Sequence, residues 1–121
     1  MPSVSSNFDK TNVVKELPLA CMKVCNLNSQ YTISKMIVQP GWGWSKCIKP
    51  IVKTDLCMAK HIGVIQSGIL GVKMENGSEL KLQSDDAYVI EPGHDAWVIG
   101  DDPVIGYEFN AETAQNFGKV S

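Results

Sequence analysis

Hydrophobic and polar residues alternate with a period of two along much of the chain, which is the pattern of β-strands with one buried face. Residues 70–74 and 78–82 show this alternation on the two sides of Asn76 and Gly77. An Asn-Gly pair favours the positive φ angles of a two-residue hairpin turn. The centre of the chain is therefore predicted to form two antiparallel strands joined by a tight turn.

Turn residues separate several more short apolar segments, at spacings of about 8 to 12 residues. Further strands are predicted at 19–27, 31–38, 87–90, 96–99 and 104–109. Many short strands at such spacings are typical of an all-β barrel or sandwich. A short C-terminal helix is predicted at 111–117, because Asn110 is a good N-cap and Gly118 a good stop. Residues 1–12 show little periodicity and are predicted to be a loose arm, which leaves 13–121 as a single domain.

The length and net charge of the chain limit the domain number and the partners that can be expected. Its 121 residues suffice for one domain, and the net charge of −2 gives no reason to expect a nucleic acid or a membrane as partner. No apolar stretch approaches the ~18 residues that cross a bilayer. All 11 basic residues are lysines. An anionic ligand must therefore be held by lysine, backbone N–H groups or a metal, and not by the fork of an arginine.

Four cysteines, Cys21, Cys25, Cys47 and Cys57, allow either two disulfides or four free thiols. The polar segment 1–10 lacks the hydrophobic stretch of a signal peptide. Thiols stay reduced in the cytosol. We therefore expect a cytoplasmic protein with free cysteines.

Several short stretches between Trp42 and Pro103 resemble the cupin superfamily, and most of all a group of small single-domain bacterial cupins of uncertain biochemical role. The run 92–102 is the most specific of them. The resemblance implies a single antiparallel β-barrel of the jelly-roll type. The matching stretches are 42–45, 49–50, 54–55 with Cys57, 61–63, 67–68, 76–79 and 92–98.

The metal motifs of cupins are incomplete in this chain. Aligning the first motif on Gly68 places His61 where cupins usually have a glutamate. The same alignment places Cys57 and Asp55 where cupins have two histidines. In the second motif, Ala96 stands at the position of the metal-binding histidine. The resemblance therefore implies the cupin fold with a divergent metal site.

Cys57, His61 and His94 form a candidate metal site with three ligands and open positions. Asp55 is a further candidate donor. Thiolate and imidazole favour zinc, while a carboxylate keeps iron, nickel and manganese in the set. Cys57 and His61 would lie about 13 Å apart on a straight strand, so both reach one ion only if residues 58–60 bend. The alternative is structural: His61 fills a core cavity, Cys57 packs as a hydrophobe, and His94 belongs to a surface turn.

Other side chains of the same region are open to two interpretations. Cys57 could be a nucleophile with His61 as its base, provided that the two side chains approach to about 3 Å. Trp42 and Trp44 flank a glycine and face the same way, so they either line a ligand cavity or close one end of the barrel. Trp97, on a predicted strand, is a third candidate for a ligand contact, and packing is its alternative role.

Three functions are open at this point. The leading one is a barrel that binds an unidentified small molecule. The second is a metal-dependent enzyme of the isomerase, dioxygenase or decarboxylase kind, which the resemblance to cupins implies. The third is a structural or dimerisation module without a ligand. A homodimer is expected, because cupins commonly pair through their sheets and an exposed sheet edge favours pairing. The candidate ligand contacts are Trp42, Trp44, Cys57, His61, His94 and Trp97.

Overall fold

The computed structural model describes residues 3–28 and 30–109 of the chain. The helix predicted at 111–117 lies outside these residues, so it stays a prediction. The division into an arm at 1–12 and a domain at 13–121 also stays a prediction.

Nine strands form about half of the described part of the chain. They are β1 (Val14–Leu17), β2 (Ala20–Asn26), β3 (Thr32–Val38), β4 (His61–Ser67), β5 (Ile69–Met74), β6 (Glu79–Leu82), β7 (Ala87–Ile90), β8 (His94–Ile99) and β9 (Val104–Phe109). Two short helices, α1 (Trp44–Cys47) and α2 (Lys49–Val52), lie between β3 and β4. Each helix has four residues, and among the described residues no helix is long and apolar enough to span a membrane.

Hydrogen bonds arrange the described strands in two sheets. One sheet has six strands in the order β1-β2-β3-β9-β4-β7, and the other has three in the order β6-β5-β8. Neighbouring strands are antiparallel throughout. Both sheets contribute to one apolar core, in which Ile65 comes from the six-stranded sheet and Val72 from the three-stranded sheet. The predicted all-β antiparallel fold is confirmed, with the strands divided between two sheets that share a core.

The central hairpin forms at the predicted turn. β5 pairs with β6 so that Lys73 lies opposite Glu79. Gly77 in the turn has a φ of +91°, an angle that strains any residue with a Cβ. The hairpin predicted from Asn76 and Gly77 is therefore confirmed, but its turn differs from the two-residue type: only Gly77 of the pair has a positive φ, and residues 75–77 form the loop between the hydrogen-bonded Met74 and Ser78.

The segment between β3 and β4, for which the sequence pattern predicted no strand or helix, is partly helical. It forms α1 and α2, with Pro50 in the first turn of α2. Proline suits that position, because its fixed φ is already helical and an N–H there would have no intrahelical acceptor. The backbone N–H and the hydroxyl of Ser45 donate to the Asp95 carboxylate at 3.1 and 2.5 Å. These two hydrogen bonds tie α1 to the beginning of β8.

Part of the predicted arm packs on the six-stranded sheet. The Phe8 ring lies 5.7 Å from the ring of Tyr107 on β9. The Thr11 hydroxyl donates to the carbonyl of Val24 on β2 at 2.6 Å. These contacts place residues 8–11 against the domain.

Trp97 and Gly71 are cross-strand partners on β8 and β5. A Cβ added to Gly71 would come within 2.5 to 2.7 Å of the indole ring. The ring therefore occupies the space that a side chain at position 71 would fill. This packing accounts for a glycine in the middle of a strand, where glycine is otherwise unfavourable.

We expect Gly71→Ala to lower the free energy of unfolding by about 1–3 kcal/mol, because the added methyl group displaces the Trp97 ring. Gly43→Ala is the matched control. Gly43 also lies beside Trp97, but a Cβ there would be 3.7 Å from the nearest atom, an ordinary contact. Urea denaturation monitored by tryptophan fluorescence measures both variants. Equal stabilities of the two variants would contradict this packing.

Candidate metal centre

A pair of backbone hydrogen bonds brings Cys57 and His94 side by side. The Cys57 N–H donates to the His94 carbonyl at 2.8 Å, and the His94 N–H donates to the Cys57 carbonyl at 3.2 Å. The two residues thus form an isolated antiparallel bridge. Directly opposite residues of an antiparallel pair project to the same side, so the thiol and the imidazole become neighbours.

His61 joins this pair because the chain bends between residues 57 and 61. Residues 58–60 have no regular secondary structure, and His61 is the first residue of β4. The Cys57 Sγ lies 3.6 Å from the His61 Nε2, against the ~13 Å of a straight strand. The rings of His61 and His94 have centroids 4.9 Å apart and an interplanar angle of 69°. The bend that the spacing required is present.

The three side chains form one compact, largely buried cluster. The candidate ligand atoms of Cys57, His61 and His94 all lie within 4.8 Å of one another. His61 is 8% exposed and His94 is 2% exposed. His94 is therefore an interior residue and does not belong to a surface turn.

Each imidazole has its Nδ1 held by an acceptor. The His61 Nδ1 lies 2.8 Å from Glu108 Oε1, and the His94 Nδ1 lies 2.8 Å from the carbonyl oxygen of Glu91. A carboxylate or carbonyl oxygen only accepts, so both Nδ1 atoms carry hydrogen and donate. The Nε2 of each ring is left as the nitrogen that can bind a metal. Histidines that bind metals usually have this second hydrogen bond, which fixes the tautomer and the ring orientation.

Glu108 is the centre of a buried network that sequence reasoning missed. Its Oε2 accepts from the Tyr88 hydroxyl at 2.7 Å, its Oε1 pairs with His61, and its side chain is buried. On β9, Val104, Gly106 and Glu108 alternate on the inward face. The sequence offers no signal for this role, because the apolar alternation of Ile105, Tyr107 and Phe109 assigns Glu108 to the outward face of the strand.

Gly63 leaves the space in which this network fits. It lies on β4 opposite Glu108 on β9. An added Cβ would overlap the carbonyl oxygen of Tyr107 and would lie 2.9 Å from the Tyr88 hydroxyl. The close approach of β4 and β9 therefore requires glycine at this position.

Burial and hydrogen bonding act in opposite directions on the pKa values of the cluster. Burial raises the pKa of the Cys57 thiol, but hydrogen bonds and charge from His61 and His94 outweigh it and bring the pKa to about 6. Burial lowers the pKa of His61, but hydrogen bonds and charge from Cys57 and Glu108 raise it to about 10. The metal-free pair is therefore a thiolate and an imidazolium at neutral pH. Burial and Glu108 raise the pKa of Tyr88, so its hydroxyl stays a donor.

The cluster lies in the wall of a cavity of about 60 Å³ between the two sheets. Trp42 and Trp44 belong to the same wall and are both buried. Most of the remaining wall is aliphatic, which makes the cavity suitable for a small and largely apolar molecule. Aliphatic wall residues include Val38, Ile65, Leu70 and Ile90.

Trp97 and Asp55 lie away from this cavity. Alternate residues of β8 face inward, and Trp97 faces the other side of the sheet, where it covers Gly71. Asp55 is exposed, and its carboxylate lies 3.7 Å from the Lys49 Nζ. The structure thus brings together the candidate ligand contacts other than Trp97, and the candidate metal ligands other than Asp55.

Similar solved structures come from enzymes and from a regulator domain. An oxalate decarboxylase from Lactobacillus farciminis, in complex with formate, has a TM-score of 0.58 and 16% identity over 79% of this chain. This chain spans 30% of the length of that enzyme. The Cupin_2 domain of an XRE-family transcriptional regulator from Enterobacter cloacae has a TM-score of 0.53 and 15% identity, over 76% of this chain and 95% of that one. The polyketide cyclase RemF from Streptomyces resistomycificus has a TM-score of 0.62 and 9% identity, over 87% of this chain and 76% of that one.

Comparisons of the sequence itself found no relative of this chain. No protein-family model matches the chain, and no curated protein matches it. Identities of 9 to 16% do not carry an activity from one protein to another. The likeness therefore establishes the fold.

We expect iodoacetamide to alkylate Cys57 of the metal-free protein with a rate that rises through about pH 6 and levels off near neutral pH. The reason is that a thiol with a pKa of about 6 is ionised above that pH. Cys21 is the internal control, since burial and Glu16 raise its pKa, so its rate is still rising in alkaline solution. Mass spectrometry of quenched samples measures both rates. A Cys57 rate that follows the Cys21 profile would rule out a neutral-pH thiolate.

Proposed function

Since this chain has the cupin fold, we propose that it binds one divalent metal ion through Cys57, His61 and His94 and a small molecule next to that ion in the cavity. One observation carries the proposal: a thiol and two imidazoles converge within 4.8 Å, and the Nδ1 of each ring is held by an acceptor. Packing alone does not require three metal-binding side chains to share one buried point.

The spacing of the donor atoms fits a tetrahedral zinc site. Bonds of about 2.3 Å to sulfur and about 2.05 Å to nitrogen, at a tetrahedral angle, put the two ligand atoms about 3.6 Å apart. The Cys57 Sγ and the His61 Nε2 are separated by 3.6 Å. The His94 ligand atom lies within 4.8 Å of both, so it reaches the same ion by a side-chain shift of about 1 Å.

The donor set favours zinc among the metals expected from the sequence. Thiolate and imidazole are common zinc ligands, whereas manganese and magnesium prefer oxygen donors. Iron, nickel and manganese were candidates because the Asp55 carboxylate was a possible ligand. Asp55 lies outside the cluster. Iron, nickel and manganese therefore rank below zinc.

Three protein ligands leave a coordination position for water or a ligand atom, which is typical of catalytic zinc sites. A bound zinc ion supplies Lewis-acid polarisation of an oxygen atom on the small molecule. Trp42, Trp44 and the aliphatic wall exclude water from that position. Glu108 and Tyr88 keep the His61 ring in place. Enzymes occur among the proteins of similar fold, and the case for an enzymatic role here rests on the open position of the metal site.

A second candidate function uses Cys57 as a nucleophile. Its thiol contacts His61, whose Nδ1 is held by Glu108, and nucleophile, base and orienting carboxylate are the parts of a cysteine triad. Zinc separates the two candidates, because a bound ion occupies the thiolate and protects it from alkylation. Alkylation of Cys57 at an unchanged rate in excess zinc would favour the nucleophile.

Titration of metal-free protein with zinc, followed by calorimetry, tests the proposal. We expect one ion per chain, and we expect Cys57→Ser and His94→Ala each to weaken binding by more than the ~100-fold that loss of an outer hydrogen bond costs. A His61 variant is a poorer test, because it removes the imidazole that pairs with the buried Glu108 carboxylate and so threatens the fold.

Cys21→Ser is the matched control for these variants. Cys21 is a free cysteine on β2 outside the cluster, so its variant should bind zinc as the wild type does. Circular dichroism establishes that each variant is folded. A folded wild-type protein that does not bind zinc would overturn the metal site.

We expect Glu108→Gln to weaken zinc binding by about 10- to 100-fold, because the carboxylate that orients the His61 ring is replaced by a neutral amide. Glu79→Gln is the control, since Glu79 is exposed on β6. Competition with a chromogenic chelator measures both affinities. Equal affinities of the two variants would contradict the orienting role of Glu108.

A further inference from the structure

Trp42 carries a polar group that the fold leaves without a partner. Its side chain is 6% exposed and lies in the cavity wall, and its indole Nε1 has no acceptor among the described residues. Ser34 Oγ is the other buried side-chain atom of the described residues in this condition, but Ser34 does not line the cavity. Buried donors normally have partners, so an unpaired donor in a cavity wall calls for an explanation.

Backbone hydrogen bonds hold Trp42 in place. Its N–H donates to the Gln39 carbonyl at 3.0 Å, and its carbonyl accepts from the Val98 N–H at 3.0 Å. The next residue, Gly43, is bridged to Trp97 on β8. The unpaired indole N–H therefore belongs to an anchored segment of the wall.

Apart from Trp44, whose indole also lines this wall, the other polar side chains of the wall are already engaged. The Tyr88 hydroxyl donates to Glu108, and Glu108 accepts from His61. The Nδ1 of His94 donates to the Glu91 carbonyl. The described wall residues include no lysine, and the chain contains no arginine. Apart from the metal site, the Trp42 Nε1 is therefore the fully buried donor without a partner among the described wall residues.

We propose that the small molecule is a short-chain carbonyl compound with two oxygen functions, one at the metal site and one that accepts a hydrogen bond from the Trp42 Nε1. This inference rests on the proposed metal site. A neutral carbonyl oxygen suits the neutral indole N–H of Trp42. A carboxylate beside Trp42 would instead be buried without a cation to pair with it. The cavity of about 60 Å³ is smaller than the ~150 Å³ cavity that accepts benzene, so the molecule has few carbon atoms.

Pyruvate and propionate test the proposal, because both carry a carboxylate for the metal but only pyruvate has a ketone oxygen for Trp42. Trp42→Phe keeps an aromatic ring and removes the N–H. In zinc-loaded protein it should weaken pyruvate binding by about 3- to 10-fold more than it weakens propionate binding. Trp97→Phe, which loses an indole N–H outside the cavity, should bind both compounds as the wild type does. Calorimetry measures each affinity.

The indole N–H resonances give a second readout. We expect the Trp42 side-chain resonance, assigned by its loss in Trp42→Phe, to shift when pyruvate is added to zinc-loaded wild-type protein. An unmoved resonance, equal pyruvate affinity in Trp42→Phe, or no pyruvate binding at all would overturn this inference and leave the metal site standing. Absence of zinc binding would overturn the metal site and this inference with it.

Discussion

The hydrogen bond between His61 Nδ1 and Glu108 Oε1 is the interaction on which the site depends, because it joins β4 to β9 inside the core at 2.8 Å. A buried carboxylate without a donor is costly. Glu108 therefore needs His61 and Tyr88, and His61 needs Glu108 to fix its ring. The approach of the His61 Nε2 to the Cys57 thiol follows from this pairing. The same carboxylate thus stabilises the fold and orients a candidate metal ligand.

The candidate ligands differ from the pattern that the cupin resemblance implies, but they face the same interior. Ala96 stands where a histidine is usual, and His94 lies two residues before it on β8. Residues two apart on a strand face the same side, so both line the cavity. The bridge between Cys57 and His94 then sets the thiol beside the displaced imidazole. A ligand can therefore move by two residues along a strand without leaving the interior.

Local patterns predicted most of the fold, and the non-local pairings explain what they missed. β2, β3, β5, β6, β7 and β9 lie within one residue of their predicted bounds, because alternation and turn residues are local signals. β1, β4 and the two short helices were not predicted. Elements as short as β1 and the helices depend on tertiary contacts more than on propensity, and β4 lacks a regular alternation of apolar and polar residues. Residue chemistry identified Cys57, His61 and His94 as candidates. Glu108 escaped because its role appears only when β9 pairs with β4.

X-ray absorption at the zinc edge of zinc-loaded protein identifies the atoms that bind the ion. We expect one sulfur ligand at about 2.3 Å and two imidazole nitrogens at about 2.0–2.1 Å, with the sulfur lost in Cys57→Ser. A wild-type spectrum with only oxygen and nitrogen ligands, or a sulfur contribution that persists in Cys57→Ser, would contradict the proposed metal site.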